Sequence, residues 1–319
     1  MNRDRPHEHF ADRLLAACRE KGAPVCVGLD PVYERLPAPL RAADTQDAGL
    51  RVEAIEDFCR QVIEVVAPLV PCVKIQAACF ERYFWPGFAA YHRLIEHARN
   101  AGLLVIADAK RGDIGVSAAH YAAGFLTPTA GFLTPAAGSV GPAAGEGSGP
   151  LRGADALTVN GYFGADALEP FIEQAATQGR GLFVLVRTSN PGSAAIQSLK
   201  LADGRAVVDA MAAMVAEAGK AATLRGRGGY SLLGAVVGAT CAADAARLRK
   251  LMPQQIFLVP GFGAQGGDAA DVAACFKADG TGAIVTASRS ILYAYEQKQG
   301  DWRDAVREAT VAMKDRIKT

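Results

Sequence analysis

Short apolar runs alternate along the chain with longer stretches whose apolar residues recur at helical spacing. The first run covers 24–30, and in residues 51–68 the apolar side chains Val52, Ile55 and Phe58 follow one another at intervals of three. That spacing brings apolar side chains onto one face of a helix, whereas a short continuous run of branched residues indicates a buried strand. Strands that alternate with helices predict a parallel sheet covered by helices.

The alternation continues through eight units. The predicted strands lie at 24–30, 72–76, 103–107, 156–160, 182–189, 232–239, 256–263 and 283–290. The predicted helices lie at 8–20, 51–68, 88–101, 165–178, 205–220, 241–251, 268–278 and 301–316. Eight units predict an α/β fold, a closed (β/α)₈ TIM barrel formed by residues 1–319 as a single domain. The alternative is a doubly wound sheet, which would more often carry a glycine-rich dinucleotide turn after the first strand, and none follows Asp30.

One stretch interrupts this pattern. Residues 121–150 are rich in glycine, proline and alanine and carry a single formal charge, on Glu146. We expect a low-complexity loop after a shortened third helix, because long surface loops cost little closure entropy. The alternative is a lid or a partner-binding segment.

Composition and charge narrow the classes of partner. The chain has 319 residues, is 50% hydrophobic and has a formal net charge of +1, so no general nucleic-acid-binding or membrane-binding surface is expected. The charged N-terminus is unlike a secretory signal, and no apolar run is long enough to span a bilayer. The seven cysteines form no Cys-x-x-Cys motif, so we expect free thiols and a cytoplasmic location.

Candidate chemistry begins where the third strand ends. Asp108, Lys110, Arg111 and Asp113 follow its apolar run directly. Side chains two residues apart on a strand point to the same face, so Asp108 and Lys110 are expected side by side. Charges in that position are costly unless they are paired or used. The residues alone leave two interpretations open, a solvated turn with a surface ion pair or a chemical site.

Polar residues also end the other predicted strands, where barrels of this class hold their chemistry. They are Asp30, Lys74, Asn160, Ser189, Gly263 to Gln265, and Arg289. The glycine-rich loop 260–267 leads into a predicted helix, and backbone N–H groups at a helix start suit a phosphate. Arg289 ends the following strand, and a guanidinium can grip phosphate through two hydrogen bonds.

Six ordered motifs resemble those of the orotidine 5′-monophosphate decarboxylase family. They are VGLD at 27, VKIQ at 73, DAKRGDIG at 108, RTSNPG at 187, PGFGAQGG at 260 and SRS at 288. The RTSN and DAKRGDIG forms are most similar to a bacterial branch with longer chains. The resemblance implies conversion of orotidine 5′-monophosphate to UMP and CO₂ in de novo pyrimidine biosynthesis, without metal or organic cofactor.

The same resemblance implies a role for each matching residue. Lys110 would donate a proton to C6 of the pyrimidine within a catalytic charge array that also contains Lys74, Asp108 and Asp113. Asp108 would lie against the departing carboxylate. Asp113 would enter the partner's site in a homodimer, accompanied by substrate-binding Ile114 and Ser117. The other substrate-binding residues would be Asp30 with Lys74 at the ribose, Ser189 at the base, Gln265 and Arg289 at the phosphate, and also Asn160 and Ser288.

Two residues depart from the family pattern, and two other functions compete. Ser117 stands where threonine is expected, and Gly161 stands where proline is frequent in this branch. Sugar-phosphate decarboxylases and aldolases of the same superfamily use a similar Asp-x-Lys-x-x-Asp arrangement with a metal ion. They typically carry an acidic residue where this chain has Lys74, whose charge would repel Mg²⁺. A non-catalytic nucleotide-binding barrel is the other alternative.

Overall fold

Eight parallel strands form a closed barrel in chain order, and the last strand pairs with the first. The computed structural model describes residues 8–41, 45–128, 152–239, 242–263 and 269–317. The predicted (β/α)₈ barrel is therefore confirmed, and the doubly wound alternative is wrong. The strands are β1 Val25–Leu29, β2 Cys72–Gln76, β3 Leu104–Arg111, β4 Ala156–Val159, β5 Gly181–Arg187, β6 Leu233–Val237, β7 Phe257–Pro260 and β8 Ala283–Ala287.

Helices surround this barrel, and most begin and end within a few residues of the predicted positions. They are α1 Phe10–Lys21, α2 Ala48–Val66, α3 Ala78–Glu81, α4 Phe84–Asn100, α5 Gly115–Leu126, α6 Ala165–Thr177, α7 Ala194–Gln197, α8 Val207–Ala218, α9 Ala242–Leu251, α10 Ala269–Ala273, α11 Arg289–Leu292 and α12 Trp302–Arg316. Short 3₁₀ turns lie between some of them. Helix α10 is shorter than predicted.

The last two strands are also shorter than predicted. The strand predicted at 256–263 ends at Pro260, and the strand predicted at 283–290 ends at Ala287. Gly261 has φ 97°, a left-handed conformation that takes the chain out of the sheet. The polar residues after both strands therefore lie on turns and on a short helix, not on the strands themselves.

The stretch at 121–150 is not a loop from its start. Helix α5 continues to Leu126, so its first six residues, 121–126, are helical. The helix forms because Ala118, Ala122 and Phe125 recur at intervals of four and three and are buried on one face. Most of the remainder lies outside the described residues.

Helix α1 closes the amino-terminal end of the barrel. The ring of Phe10 packs edge-on against Phe183 on β5, with ring centroids 5.9 Å apart. A Cβ atom at Gly181 would lie 2.1 Å from the Phe10 ring, so only glycine leaves room for that ring. Because α1 covers this end of the barrel, we call it the plug helix. The His9 side chain caps the start of α1, and Gly22 ends it with φ 71°. This end of the barrel is therefore sealed.

The outer helices bury apolar stripes of the predicted kind. Val52, Ile55, Phe58 and Val62 of α2 are buried, and the Phe58 ring centroid lies 5.2 Å from that of Trp302 on α12. Burial of each such side chain contributes roughly 1.5–3 kcal/mol. Within the described part of the chain, no helix is long and apolar enough to cross a membrane.

Candidate active site

At the carboxyl end of the barrel, Asp108 on β3 lies between two lysines. Lys74 Nζ on β2 lies 2.5 Å from Asp108 Oδ2, and Lys110 Nζ lies 2.6 Å from Oδ1. Lys74 Nζ also lies 3.5 Å from Oδ1 of Asp30, which follows β1. Neighbouring strands therefore build an array of alternating charge. Because Lys74 and Asp108 are both buried, the interpretation as a surface ion pair is wrong.

This array keeps its buried members ionised. Burial alone would raise the pKa of Asp108, but the charges of Lys74 and Lys110 outweigh it and hold that pKa well below its usual range. Burial would likewise lower the pKa of Lys74, and the carboxylates of Asp108 and Asp30 outweigh it and raise that pKa. The carboxyl end of the barrel therefore holds fixed charges at neutral pH.

Lys110 meets Asp108 through an irregularity in the strand and not by simple strand alternation. The register between β3 and β4 shifts between Ala107 and Arg111, and Lys110 has φ 48°. A residue other than glycine in the left-handed region costs on the order of 1–3 kcal/mol and persists only where its surroundings hold it. The Lys110 backbone N–H donates to Thr158 Oγ1 on β4 at 2.9 Å. Sequence reasoning missed Thr158.

Arg111, the residue after Lys110, points away from the barrel mouth and towards the surrounding helices. The Arg111 guanidinium forms an ion pair with Glu81 of α3. It also lies 5.4 Å from the ring centroids of Tyr121 and Phe125, both on α5. Arg111 therefore joins β3 to two surrounding helices, whereas Lys110 points into the barrel mouth.

A cavity of about 450 Å³ opens over this array. Its lining contains seven residues expected from the sequence, namely Asp30, Lys74, Asp108, Lys110, Ser189, Ser288 and Arg289. Polar residues that sequence reasoning missed also line it, namely Gln76, Thr158, Thr188, Asn190 and Thr286. Strand alternation could have found Gln76, which lies two residues after Lys74 and donates to Asp108 Oδ2 at 3.2 Å.

Four expected residues do not line this chain's cavity. Asn160 is half-buried, and its Oδ1 accepts the N–H of Tyr162 at 3.0 Å. Asp113 lies past the strand end, and its Oδ1 accepts the Ile114 N–H at 2.8 Å. Ile114 is 61% exposed, and Ser117 is exposed on α5.

The predicted phosphate loop is only partly described. Gln265 and the second half of the glycine-rich loop, residues 264–267, lie outside the described residues. Before them, Gly261 and Gly263 take left-handed conformations, with φ 97° and 77°, and Gly261 lines the cavity. Arg289 is exposed at the first position of α11 instead of ending β8. Among the described residues, no group of three or more His, Cys, Asp or Glu side chains could hold a metal ion.

Comparisons with known proteins agree with this geometry. Residues 23–303 match the model of the orotidine 5′-phosphate decarboxylase / HUMPS family. The chain is 43% identical to the orotidine 5′-phosphate decarboxylase of Rhodopirellula baltica, over 97% of this chain and 99% of that protein. It is 38% identical to the Deinococcus radiodurans protein of the same name, over 97% and 96%.

Solved structures give the same result. The Leishmania donovani OMP decarboxylase superimposes with a TM-score of 0.70 at 29% identity and covers 97% of both chains. The family match extends over all eight strands of the barrel, and the relatives cover nearly the whole chain. The chain therefore belongs to the orotidine 5′-phosphate decarboxylase / HUMPS family.

Proposed function

We propose that this protein decarboxylates orotidine 5′-monophosphate to UMP, with the cavity over Asp108 as its active site. The observation that carries the proposal is the array of Asp30, Lys74, Asp108 and Lys110, in which one ammonium opens to the cavity. The Lys110 side chain is 46% exposed, whereas those of Lys74 and Asp108 are 6% and 7% exposed. The relatives are named for the same reaction, which supports the proposal.

The reaction requires a proton donor beside a carbon that develops negative charge. The bond between C6 and the carboxylate breaks, CO₂ leaves, and the electron pair remains on C6. The ammonium of Lys110 then transfers a proton to C6 and gives UMP. Lys110 recovers its proton from water, to which the half-exposed side chain has access.

The fixed charges favour the transition state over the bound substrate. The substrate carboxylate lies against ionised Asp108, and their repulsion falls as neutral CO₂ forms. Lys110 stabilises the charge that develops on C6 without solvent reorganisation. Only interactions that strengthen in the transition state accelerate a reaction. Lys74 contributes by holding Asp108 in place and ionised.

The remaining polar groups would bind the substrate away from the reacting carbon. Asp30 and Lys74 hold the ribose hydroxyls, and Ser189 contacts the base. The phosphate is held by Gln265 and Arg289, and Asn160 and Ser288 complete the substrate-binding set. Phosphate binding far from the reacting centre can help organise that centre.

A homodimer would complete each site. Asp113 does not line its own cavity, and exposed apolar side chains follow it in the sequence and also lie on the turn after β4. Ile114, Val116 and Tyr162 are 61%, 74% and 79% exposed. A two-fold interface over these side chains would bring Asp113, Ile114 and Ser117 into the partner's cavity.

The six free cysteines of the described chain support the proposed cytoplasmic location.

Complementation tests the shared site. Inactive Lys110→Ala and inactive Asp113→Ala proteins are mixed and allowed to exchange subunits. In a mixed dimer one site carries both lesions and the other carries none, so activity should return towards about a quarter of wild type. If subunits exchange and activity does not return, Asp113 does not act across the interface.

The activity itself is tested by following the absorbance loss of orotidine 5′-monophosphate and the formation of UMP, with and without EDTA. Activity that persists in chelator supports the proposed reaction, in which Lys110 supplies the proton. Activity lost in chelator and restored by Mg²⁺ would favour the metal-dependent sugar-phosphate branch. Binding of UMP without turnover would favour a non-catalytic nucleotide-binding barrel.

A further inference from the structure

The hydroxyl of Thr158 lies at the centre of the strand irregularity and has two partners there. Its Oγ1 accepts the backbone N–H of Lys110 at 2.9 Å and lies 3.0 Å from Asp108 Oδ1. The carbonyl of Ala107 is a second possible acceptor at 3.5 Å. A hydroxyl has one proton to donate, and the nearer, charged acceptor is favoured, so the Thr158 hydroxyl donates its hydrogen bond to Asp108. Thr158 is 1% exposed, and water does not compete.

Strand β4 holds the irregularity on both sides. Thr158 receives the N–H of Lys110, and Asn160 donates its own N–H to the Arg111 carbonyl at 2.7 Å. The Arg111 guanidinium also donates to the Ala109 carbonyl at 3.1 Å. Of these contacts, only the one at Thr158 reaches both the backbone of Lys110 and the carboxylate of Asp108.

We propose that Thr158 is a positioning residue that fixes the Lys110 ammonium against Asp108 by holding Lys110 in its left-handed conformation. This inference rests on the proposed function, since it concerns the proton donor of that reaction. Without an acceptor at residue 158, the buried N–H loses its partner and the strain at Lys110 is no longer opposed. The ammonium then samples positions away from the reacting carbon, although the substrate contacts at the ribose and phosphate remain.

Burial alone does not give a threonine this role. Thr286 on β8 is also buried and lines the same cavity. Its hydroxyl has no hydrogen-bond partner among the described residues. The contrast assigns the role to the geometry of the irregularity at Lys110.

Three variants separate positioning from packing. Thr158→Val keeps the shape and removes the hydroxyl, and Thr158→Ser keeps the hydroxyl. Thr310→Val is the control, because Thr310 is fully buried in α12 and its hydroxyl donates to the Val306 carbonyl of the same helix. We expect Thr158→Val to lower kcat about 10- to 100-fold with KM within threefold of wild type. Thr158→Ser and Thr310→Val should keep kcat within threefold.

A second measurement does not depend on activity. The Lys110 amide should exchange with solvent deuterium at least about tenfold faster in Thr158→Val than in wild type, and Thr158→Ser should restore its protection. Equal losses of kcat in the valine and serine variants, or unchanged kcat and exchange in Thr158→Val, would overturn the positioning role. A folded wild-type protein that forms no UMP would contradict the proposed function instead, and the exchange result would then decide the positioning role alone.

Discussion

Two buried aspartates at opposite ends of the barrel are neutralised in different ways. Asp108 at the carboxyl end contacts two lysines, at 2.5 and 2.6 Å. Asp155 precedes β4 at the amino end, and its Oδ1 contacts Arg13, Arg99 and Arg180 at 2.7, 2.5 and 2.8 Å. At both sites burial opposes ionisation, and the cations outweigh it and lower the carboxyl pKa.

The cations differ in chemistry and in access to solvent. An arginine does not release its proton in proteins and donates from a rigid planar group, whereas a lysine can transfer a proton. The Arg180 side chain is 7% exposed, and burial lowers its pKa to about 10. Lys110 is 46% exposed, beneath the cavity.

The arginine cluster therefore joins elements and takes no part in the proposed chemistry. Arg13 lies on α1 and Arg99 on α4, and Arg180 precedes β5. The second oxygen of Asp155 accepts the Val105 N–H of β3 at 3.0 Å. One carboxylate thus ties the plug helix α1 to the barrel strands. Similar burial of an aspartate serves stability at one end and, as proposed, proton transfer at the other.

Removal of the Asp155 charge should give the largest loss of stability. Asp155→Asn leaves three arginines around a neutral side chain, and breaking a buried ion pair typically costs ~3–5 kcal/mol. Urea unfolding measures the loss, with Asp203→Asn as the control, because Asp203 pairs with Arg205 on the surface. The control should unfold as the wild type does. A fall in kcat per folded molecule of Asp155→Asn would contradict the division between the two ends.

Lys110→Ala should show the opposite pattern. Loss of one preorganised donor costs ~3 kcal/mol, and here the proton donor is lost as well, so kcat should fall by well over about 100-fold. The unfolding midpoint should change little. Lys298→Ala is a matched control, because the Lys298 side chain is also 46% exposed and ion-paired, with Glu308 at 2.6 Å. A Lys110→Ala protein within tenfold of wild type would remove Lys110 from the central role.

Arg289→Ala should give a smaller effect confined to phosphate. A charge-assisted hydrogen bond is worth roughly 1.5–3 kcal/mol, so UMP binding should weaken about 10- to 100-fold. Uridine, which lacks the phosphate, should bind as it does to wild type in calorimetry. Arg227→Ala provides an exposed arginine remote from the cavity, with 85% side-chain exposure. Equal losses for UMP and uridine would place Arg289 away from the phosphate.

The smallest expected effect is a pH dependence. Because the folded pKa of Asp155 lies below its unfolded value, its stabilisation is present above the unfolded pKa and is lost as pH falls through the folded pKa. Asn resembles the protonated side chain, so wild type and Asp155→Asn should converge in acid. Between pH 7 and pH 4 the gap in unfolding free energy between the two proteins should shrink only slightly, and the larger loss should follow below the unfolded pKa. A gap that widens in acid would contradict a folded pKa of Asp155 below its unfolded value.

Much of the fold and part of the site follow from local sequence. The alternation of apolar runs with helical spacing fixed eight strand–helix units, because both periods arise from the backbone geometry of single elements. The order of polar residues at the strand ends identified the charged residues that line the cavity, since parallel strands end at the same face. Helix α5 was underestimated, because its alanine-rich face resembles low-complexity sequence.

Long-range contacts decided the rest. No local pattern reveals that Arg13, Arg99 and Arg180 meet at Asp155, because only closure of the barrel brings residues so distant in sequence together. The left-handed turn at Lys110 is also invisible in the sequence, since lysine rarely adopts it alone and its hydrogen-bond acceptor lies 48 residues away on β4. The sequence determined which charges are present, and the tertiary structure decided which of them are buried in ion pairs and which face the cavity.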